Sequence, residues 1–275
     1  MIKIKKNSFS VFGNPITHSR SPKIHDLFSK NTGIVHHYSA IHVPLGKIEN
    51  VLGFFFSHGG KGGNITLPFK EKALNFCHQL TEIAEISGAV NTLKRLKNGK
   101  ILGENTDGIG ILNDLKRLKF IKNKYNILIF GAGGAAKGII LPLLLFGSHI
   151  FITNRDMNKA EDIEKKFKNF GKITSVKLDN FKKKINLIIN ATSSGIYGLS
   201  PVFPDFIVSS DTYCYDISYH PPITPFLSRC RDLGAINVAN GIGMLVSQAA
   251  YSFFLWHGIL PEVIPVINFL NIDNK

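Results

Sequence analysis

Cysteine is scarce in this 275-residue chain: Cys77, Cys214 and Cys230 are odd in number and far apart. They allow neither a disulfide framework nor a C-x-x-C metal pattern, and a reducing cytoplasm is the expected setting. Acidic residues are few as well, 19 against 33 Lys and Arg, which leaves a net charge of +14. Such an excess permits binding to nucleic acid or an anionic membrane. The basic residues are dispersed, however, in short groups such as Lys3-Ile4-Lys5-Lys6 and Lys182-Lys183-Lys184, with no interleaved aromatics to stack bases. A solvated lysine-rich surface is the expectation, with no nucleic-acid partner and a field that favours a small anionic ligand. Long apolar runs are missing too. The most apolar stretch, Met244 to Leu260, falls short of the roughly 20 residues of a bilayer span and carries Ser247, Gln248 and His257. It predicts a buried helix and no membrane partner. No apolar segment separates the first lysines from Asn7-Ser8, so no secretory leader is expected. Repeats and low-complexity segments are also absent.

What is present is enough to fold. A hydrophobic fraction of 44% supplies buried cores, and the length suits two domains. Phe9 to Phe12 is an apolar run closed by Gly13-Asn14-Pro15, a strand and turn. Ser21-Pro22 reads as an N-cap followed by proline at the first helical position, opening a helix through Phe28. Tyr38 to Val43 predicts a strand, Leu45 to Phe56 a helix, and Gly63 to Thr66 a third strand. Pro68 is expected to begin a helix with Lys70 in its first turn. Asn91 to Leu102 predicts a hairpin about Asn98-Gly99. After Asp107 the character changes. Ile109 to Leu118 is amphipathic and Lys119 to Lys124 reads as a polar connector. Strands at Ile127 to Phe130, Ile150 to Thr153, Leu187 to Asn190 and Tyr213 to Ile217 alternate with helical stretches. This is the rhythm of a doubly wound parallel sheet, each strand buried on both faces.

Gly131-Ala132-Gly133-Gly134-Ala135-Ala136 satisfies G-x-G-x-x-A between a strand and a helix. The first glycine permits the tight turn, the second lets a pyrophosphate approach the backbone, and Ala136 permits close helix–strand packing. Unpaired N–H groups at the helix start then face the phosphates. An NAD site usually ends its second strand with an acid. Here that strand ends at Thr153-Asn154-Arg155, where a guanidinium suits a 2′-phosphate, with Lys159 a turn further on. Asp156 would repel that phosphate or hold a 2′-hydroxyl instead. NADP is the favoured cofactor.

The first half offers polar groups on loops and helix starts. Ser19 and Ser21 precede a helix, a suitable place for a substrate carboxylate. Asn64-Ile65-Thr66-Leu67-Pro68-Phe69-Lys70, Gly88-Ala89-Val90-Asn91-Thr92 and Asn105-Thr106-Asp107-Gly108 add hydroxyls, amides, a lysine and a carboxylate. Each has a plainer reading by itself: Ser21 as an N-cap, Asn91 as a turn former, Lys70 as a solvated cation, Asp107 as a helix cap.

Together, and in order, these segments resemble the motifs of the shikimate dehydrogenases. The resemblance adds Phe12-Gly13-Asn14-Pro15-Ile16 with His18-Ser19 and Ser21-Pro22, then the Gly131 turn and Asn190-Ala191-Thr192-Ser193-Ser194-Gly195. It closes on Gly241 and Gly243-Met244-Leu245-Val246 with Gln248-Ala249-Ala250, and so runs from Phe9 to about Leu270. It implies reversible NADPH-dependent reduction of 3-dehydroshikimate to shikimate. It also implies a substrate-binding and catalytic domain at 1–106, a Rossmann-type dinucleotide domain at 107–240, and C-terminal helices at 241–275 returning to the first, with the active site in the interdomain groove. By the same resemblance Lys70 and Asp107 are the catalytic pair. Ser19 and Ser21 hold the carboxylate, Thr66, Asn91 and Gln248 bind ring hydroxyls, and Tyr219 and Gly241 lie at the substrate. Gly131, Ala132, Gly133, Gly134, Ala135, Asn154, Arg155, Asp156, Lys159 and Ile217 bind the cofactor. No metal is expected, and the chain is expected to be a monomer or homodimer. Asp156 and Lys159 depart from the family's usual Thr and Arg, Pro221-Pro222-Ile223 replaces a more polar loop, and Asn240 stands where Asp is common. A quinate/shikimate dehydrogenase preferring NAD is the near alternative, and a basic nucleic-acid-binding protein the distant one.

Overall fold

The computed structural model describes residues 8–179 and 181–272. The basic group Lys3 to Lys6 lies outside them. The chain divides into two compact units. One runs to Gly110 and resumes at Leu245, and the other is Ile111–Met244.

The first unit begins with β1 (Phe9–Gly13), α1 (Ser21–Thr32), β2 (Tyr38–His42), α2 (Ile48–Ser57) and β3 (Gly62–Ile65). The short β4 (Gln79–Leu80), α3 (Glu82–Ser87), β5 (Thr92–Arg95) and β6 (Ile101–Glu104) follow, and α4 (Asp107–Leu118) begins in the first unit and continues into the second. Its sheet has the order β2-β1-β3-β5-β6-β4. β1 runs parallel to β2 and β3, whereas β5 is antiparallel to both β3 and β6. Alternation along β1 and β3 sends Phe12 and Ile65 into a core with Leu52, Phe55, Phe69 and Leu93. Phe12 and Phe55 meet edge to face at 5.1 Å, the favourable arrangement of two ring quadrupoles.

Three local expectations fail here. Ser21 is the first helical residue and not the N-cap, a position Arg20 occupies without a side-chain capping bond. The helix also outlasts Phe28, ending at Thr32 before Gly33 at φ 72°, a conformation glycine adopts without strain. No helix begins at Pro68. Phe69 N–H closes a tight turn on the Thr66 carbonyl, and the Lys70 carbonyl accepts from Val90 N–H at 2.8 Å. With that carbonyl committed across the fold, regular structure resumes only as a short 3₁₀ turn at Lys72–Phe76.

The second unit comprises β7 (Asn126–Phe130), α5 (Gly134–Leu145), β8 (His149–Thr153), α6 (Met157–Phe167), β9 (Ile173–Ser175), β10 (Leu187–Asn190), β11 (Tyr213–Asp216), α7 (Pro225–Asp232) and β12 (Val238–Asn240). All six strands pair in parallel in the order β12-β11-β10-β7-β8-β9. Reversal of strand order about β7 is the hallmark of a doubly wound Rossmann sheet, and it leaves a crevice beyond the carboxyl ends of the strands. β7 and β10 are buried throughout except at Asn126, which is why both read as unbroken apolar runs. The connector after α4 is less polar than its lysines suggest, since Phe120 and Ile121 are both buried.

The apolar stretch becomes α8 (Ile242–His257), followed by α9 (Ile264–Ile272). Val246, Ala249, Ala250 and Phe253 of α8 are fully buried. No described helix is long and apolar enough to cross a membrane.

Candidate active site

In the first unit, the loops after β3, α3 and β6, together with α8, bring four of the singled-out side chains into one network. Lys70 Nζ donates to Asp107 Oδ2 at 2.5 Å, with the lysine side chain 16% exposed and the aspartate 5%. Asp107 opens α4, but its carboxylate is bound to side chains across the site. Its other oxygen, Oδ1, accepts from Asn91 Nδ2 at 2.9 Å. Asn91 Nδ2 also lies 2.9 Å from Thr106 Oγ1 and 3.2 Å from Gln248 Oε1 of α8. Asn91 Oδ1 accepts from Thr106 N–H and from Thr92 Oγ1, each at 2.8 Å. Asn105 Oδ1 takes the Asp107 N–H at 3.1 Å and so fixes the turn that presents the carboxylate.

The result is a buried anion with both oxygens occupied, one by a cation and one by an amide. Asn91 has no freedom to turn over, because its oxygen faces a backbone donor. A lysine held this way keeps further N–H groups for a third partner, and its charge is only partly screened by solvent.

Ser19 and Ser21 sit at the start of α1. Ser19 Oγ accepts from Ser21 N–H at 3.3 Å, and the Ser21 hydroxyl lies near Tyr38, where it partly offsets the upward push of burial on the phenol pKa. Tyr38 in turn donates to Asn64 Oδ1 at 2.7 Å. Asn64 Nδ2 reaches Ser252 Oγ at 2.9 Å and Thr92 Oγ1 at 3.1 Å, which ties Tyr38 to the Asn91 network. Thr66 is half-buried beside them in sequence, its N–H bonded to Phe12 O. Ser252 and Tyr38 are not singled out by the sequence, and Thr92 enters only as part of the Gly88–Thr92 segment. Ser252 falls one helical turn after Gln248, so the i, i+4 spacing on α8 carried a signal for it. Tyr38 carried none, being one tyrosine in a strand.

Three histidines complete the picture. His257 Nε2 meets His36 Nδ1 at 2.9 Å, and His36 Nε2 meets His25 Nδ1 at 3.2 Å. His25 stacks on Tyr38 with ring centroids 3.9 Å apart. Burial, reinforced by the neighbouring imidazoles, depresses the His25 pKa well below its ordinary value and brings His36 down to about 3. Among the described residues no group of three or more His, Cys, Asp or Glu is arranged to hold a metal ion.

In the second unit Gly131 has φ +105°, and a Cβ there would stand 2.9 Å from the Ala191 carbonyl oxygen. Its N–H bonds Thr153 O at 2.9 Å. Gly133 differs: it N-caps α5 with extended backbone, and a Cβ would meet nothing within 4 Å. The first glycine is therefore required by the fold, whereas the second leaves space in front of the α5 N-terminus. Ala132 is buried, Gly134 begins α5 and Ala135 is half-buried. These features fit a dinucleotide pyrophosphate.

At the end of β8, Asn154 Nδ2 donates to Asp156 O at 2.9 Å. Asp156 is the N-cap of α6, its Oδ1 accepting from Asn158 N–H at 3.2 Å. Arg155 and Lys159 are exposed. Ile217, after β11, bonds Asn190 O through its N–H. Gly241 packs so closely that a Cβ would lie 2.2 Å from the Ile217 carbonyl oxygen. Tyr219 is half-buried.

Three family models match the chain in order. They are the shikimate dehydrogenase substrate binding domain over residues 11–93, shikimate/quinate 5-dehydrogenase over 115–238, and the shikimate 5′-dehydrogenase C-terminal domain over 241–264. Among solved structures, an Ael1 enzyme from Pseudomonas putida is 36% identical with a TM-score of 0.87, the match covering 98% of this chain and 100% of that one. A shikimate dehydrogenase in complex with NADP+ is 30% identical with a TM-score of 0.86, covering 100% and 98%. Shikimate 5-dehydrogenase from Thermus thermophilus, in complex with NADP(H) and shikimate, is 31% identical with a TM-score of 0.85, covering 95% and 97%.

Proposed function

Because the chain belongs to the shikimate dehydrogenase family, we propose that it reduces 3-dehydroshikimate to shikimate with NADPH, reversibly, in the route to aromatic amino acids. The observation that carries the reading is the Lys70–Asp107 contact with Asn91 on the second carboxylate oxygen.

When bound, the dinucleotide supplies the hydride. Addition of hydride to a ketone builds negative charge on its oxygen, which must be stabilised and then protonated. Lys70 does both: its ammonium, steered by Asp107, faces the developing alkoxide and gives it a proton. In the oxidative direction the same amine takes the proton from the hydroxyl. Ser19 and Ser21 hold the substrate carboxylate, and the bond from Ser21 N–H fixes the Ser19 hydroxyl for that task. Thr66, Asn91 and Gln248 bind ring hydroxyls, and Tyr219 and Gly241 are assigned to the substrate by family likeness.

The cofactor is NADP. Gly131, Ala132, Gly133, Gly134 and Ala135 cradle its pyrophosphate, and Arg155, with Lys159 and Asn154, reads the 2′-phosphate. Asp156 caps α6 through one carboxylate oxygen, which holds its charge beside that place and opposes the 2′-phosphate. Ile217 is assigned to the cofactor by the same likeness. Along the chain, residues 1–106 carry substrate binding and catalysis, 107–240 bind the dinucleotide, and 241–275 complete the first part. A cytoplasmic enzyme, monomeric or homodimeric, is the form proposed.

One assay tests the reading: shikimate oxidation with NADP and with NAD, compared by kcat/KM, with quinate in parallel. Shikimate with NADP is expected to give the highest value. A higher value for quinate or for NAD would transfer the chain to the quinate/shikimate branch, and no turnover with any pair would end the proposal.

A further inference from the structure

β10 and β11 are neighbours in the second unit, and their last residues, Asn190 and Asp216, stand opposite each other in register. Both are fully buried. Asp216 Oδ2 accepts from Asn190 Nδ2 at 3.2 Å and from Thr224 Oγ1 at 2.6 Å, and Oδ1 accepts from Ser218 N–H at 2.9 Å. Asn190 passes the constraint on. Its Oδ1 accepts from Thr192 N–H at 3.1 Å and from Thr192 Oγ1 at 2.7 Å, and that hydroxyl lies 2.7 Å from Ser194 Oγ. Ile217 N–H bonds Asn190 O, and Gly241 N–H bonds Ser218 O, each at 3.1 Å. Thr224 also caps α7, accepting from Leu227 N–H at 3.3 Å. One carboxylate therefore sets the loop after β10, the loop after β11 and the start of α7. Burial pushes its pKa up while the three donors oppose that push, the compensation that a charge inside a fold requires.

These two loops have a defined place in the sheet. The Gly131 turn ends β7 and Arg155 follows β8, so the pyrophosphate and the 2′-phosphate of adenosine take that side. A dinucleotide lies across the point where the strand order reverses, and its other half must then lie beyond β10 and β11, on the opposite side of β7. The loop after β10 already closes on the glycine turn, since the Ala191 carbonyl oxygen is 2.9 Å from where a Gly131 Cβ would stand. Resting on the dinucleotide reading, we propose that Asp216 is a positioning residue for the nicotinamide half of the cofactor. Its carboxylate fixes the two loops that receive that half, and being fully buried it touches neither cofactor nor substrate.

Asp216→Asn keeps the outline of the side chain. Whichever way the new amide turns, its NH₂ group meets an N–H donor, Asn190 Nδ2 or Ser218 N. Thr224→Val removes only the hydroxyl. Calorimetry below the melting temperature of each variant gives Kd for NADP and for adenosine 2′,5′-bisphosphate, which lacks the nicotinamide half. In Asp216→Asn the NADP Kd should rise about tenfold, the equivalent of one charge-assisted contact, while the bisphosphate Kd stays parental. Thr224→Val should raise the NADP Kd about threefold with the same selectivity, and Thr224→Ser, which keeps the donor, should bind as the parent does. A lowered Tm with parental NADP affinity would leave Asp216 a brace of the fold alone and overturn the proposal. So would equal losses for NADP and the bisphosphate. If Asp216→Asn does not fold, parental NADP affinity in Thr224→Val overturns it instead. A parent that binds neither molecule would sink the dinucleotide reading and this role with it, whereas the other outcomes sink the role of Asp216 alone.

Discussion

Replacing Asn91 by alanine removes the one side chain that touches nearly every polar group of the Lys70–Asp107 network. Asn91 is 2% exposed, so solvent does not readily replace it. The substitution strips Asp107 Oδ1 of its amide donor and leaves the Thr106 N–H without its acceptor. Thr92 Oγ1 retains Ser252 at 2.8 Å, and the contact to Gln248 is long at 3.2 Å, so neither adds much. A hydrogen bond to a charged group contributes about 1.5–3 kcal/mol and an orphaned buried donor costs about 1–3 kcal/mol. Together these give a loss of about 2.5–6 kcal/mol, a large share of the roughly 5–15 kcal/mol typical of a folded protein. Urea unfolding read by linear extrapolation measures it. Gln248→Ala, which loses only the long contact and a bond within its own helix, should cost no more than about 1 kcal/mol. Turnover should fall in Asn91→Ala as well, since Asp107 is then held on one side alone. A stability loss below about 1 kcal/mol for Asn91→Ala would refute this reasoning, because the network would then not be what fixes the carboxylate.

Gly133→Ala should melt as the parent does, since its Cβ would meet no atom, yet weaken NADP by about tenfold or more as the methyl stands before the α5 N-terminus; unchanged NADP affinity would mean the space is not for pyrophosphate. Arg155→Ala should weaken NADP by about 1–3 kcal/mol and leave NAD nearly unaffected, whereas equal losses would show that Arg155 does not read the 2′-phosphate. Asp156→Thr preserves a capping oxygen and should strengthen NADP without lowering Tm, and an unchanged Kd would show that the aspartate charge is not felt there. His36 takes its proton at about 3 when folded against 6.5 when unfolded. Its contribution is therefore fully present above pH 6.5 and declines as pH falls toward 3, by up to about 1.4 kcal/mol per pH unit. His36→Phe should flatten that acid limb of the stability curve, and a slope equal to the parent's would assign the acid sensitivity elsewhere.

Legibility in the sequence followed the range of the interaction. β7 and β10 are buried on both faces, so Ile127 to Phe130 and Leu187 to Asn190 declare themselves as apolar runs, and the Gly131 turn follows directly from the first. The hairpin at Asn98-Gly99 was legible for a similar reason, its turn chemistry being local. The helix expected at Pro68 failed because the Lys70 carbonyl is claimed by Val90 N–H, a partner no local pattern announces. Ser21 resembled an N-cap in spacing, but it is already the first residue of the helix, with Arg20 before it at the cap. In the candidate site, Lys70, Asp107, Asn91 and Gln248 were picked out through family-like motifs, and no periodicity joins them. The His25–His36–His257 chain was invisible, since its members come from α1, the approach to β2 and the end of α8.

The central claim is that Lys70 moves the proton while other residues bind the ligands, and steady-state kinetics of Lys70→Ala tests it most directly. Turnover of shikimate with NADP should fall by about 10²–10⁴, the usual contribution of a positioned acid–base group. Binding of shikimate and of NADP, measured separately by calorimetry, should survive, because Ser19, Ser21 and the Gly131 turn are untouched. A near-parental kcat in a folded Lys70→Ala variant would contradict the account.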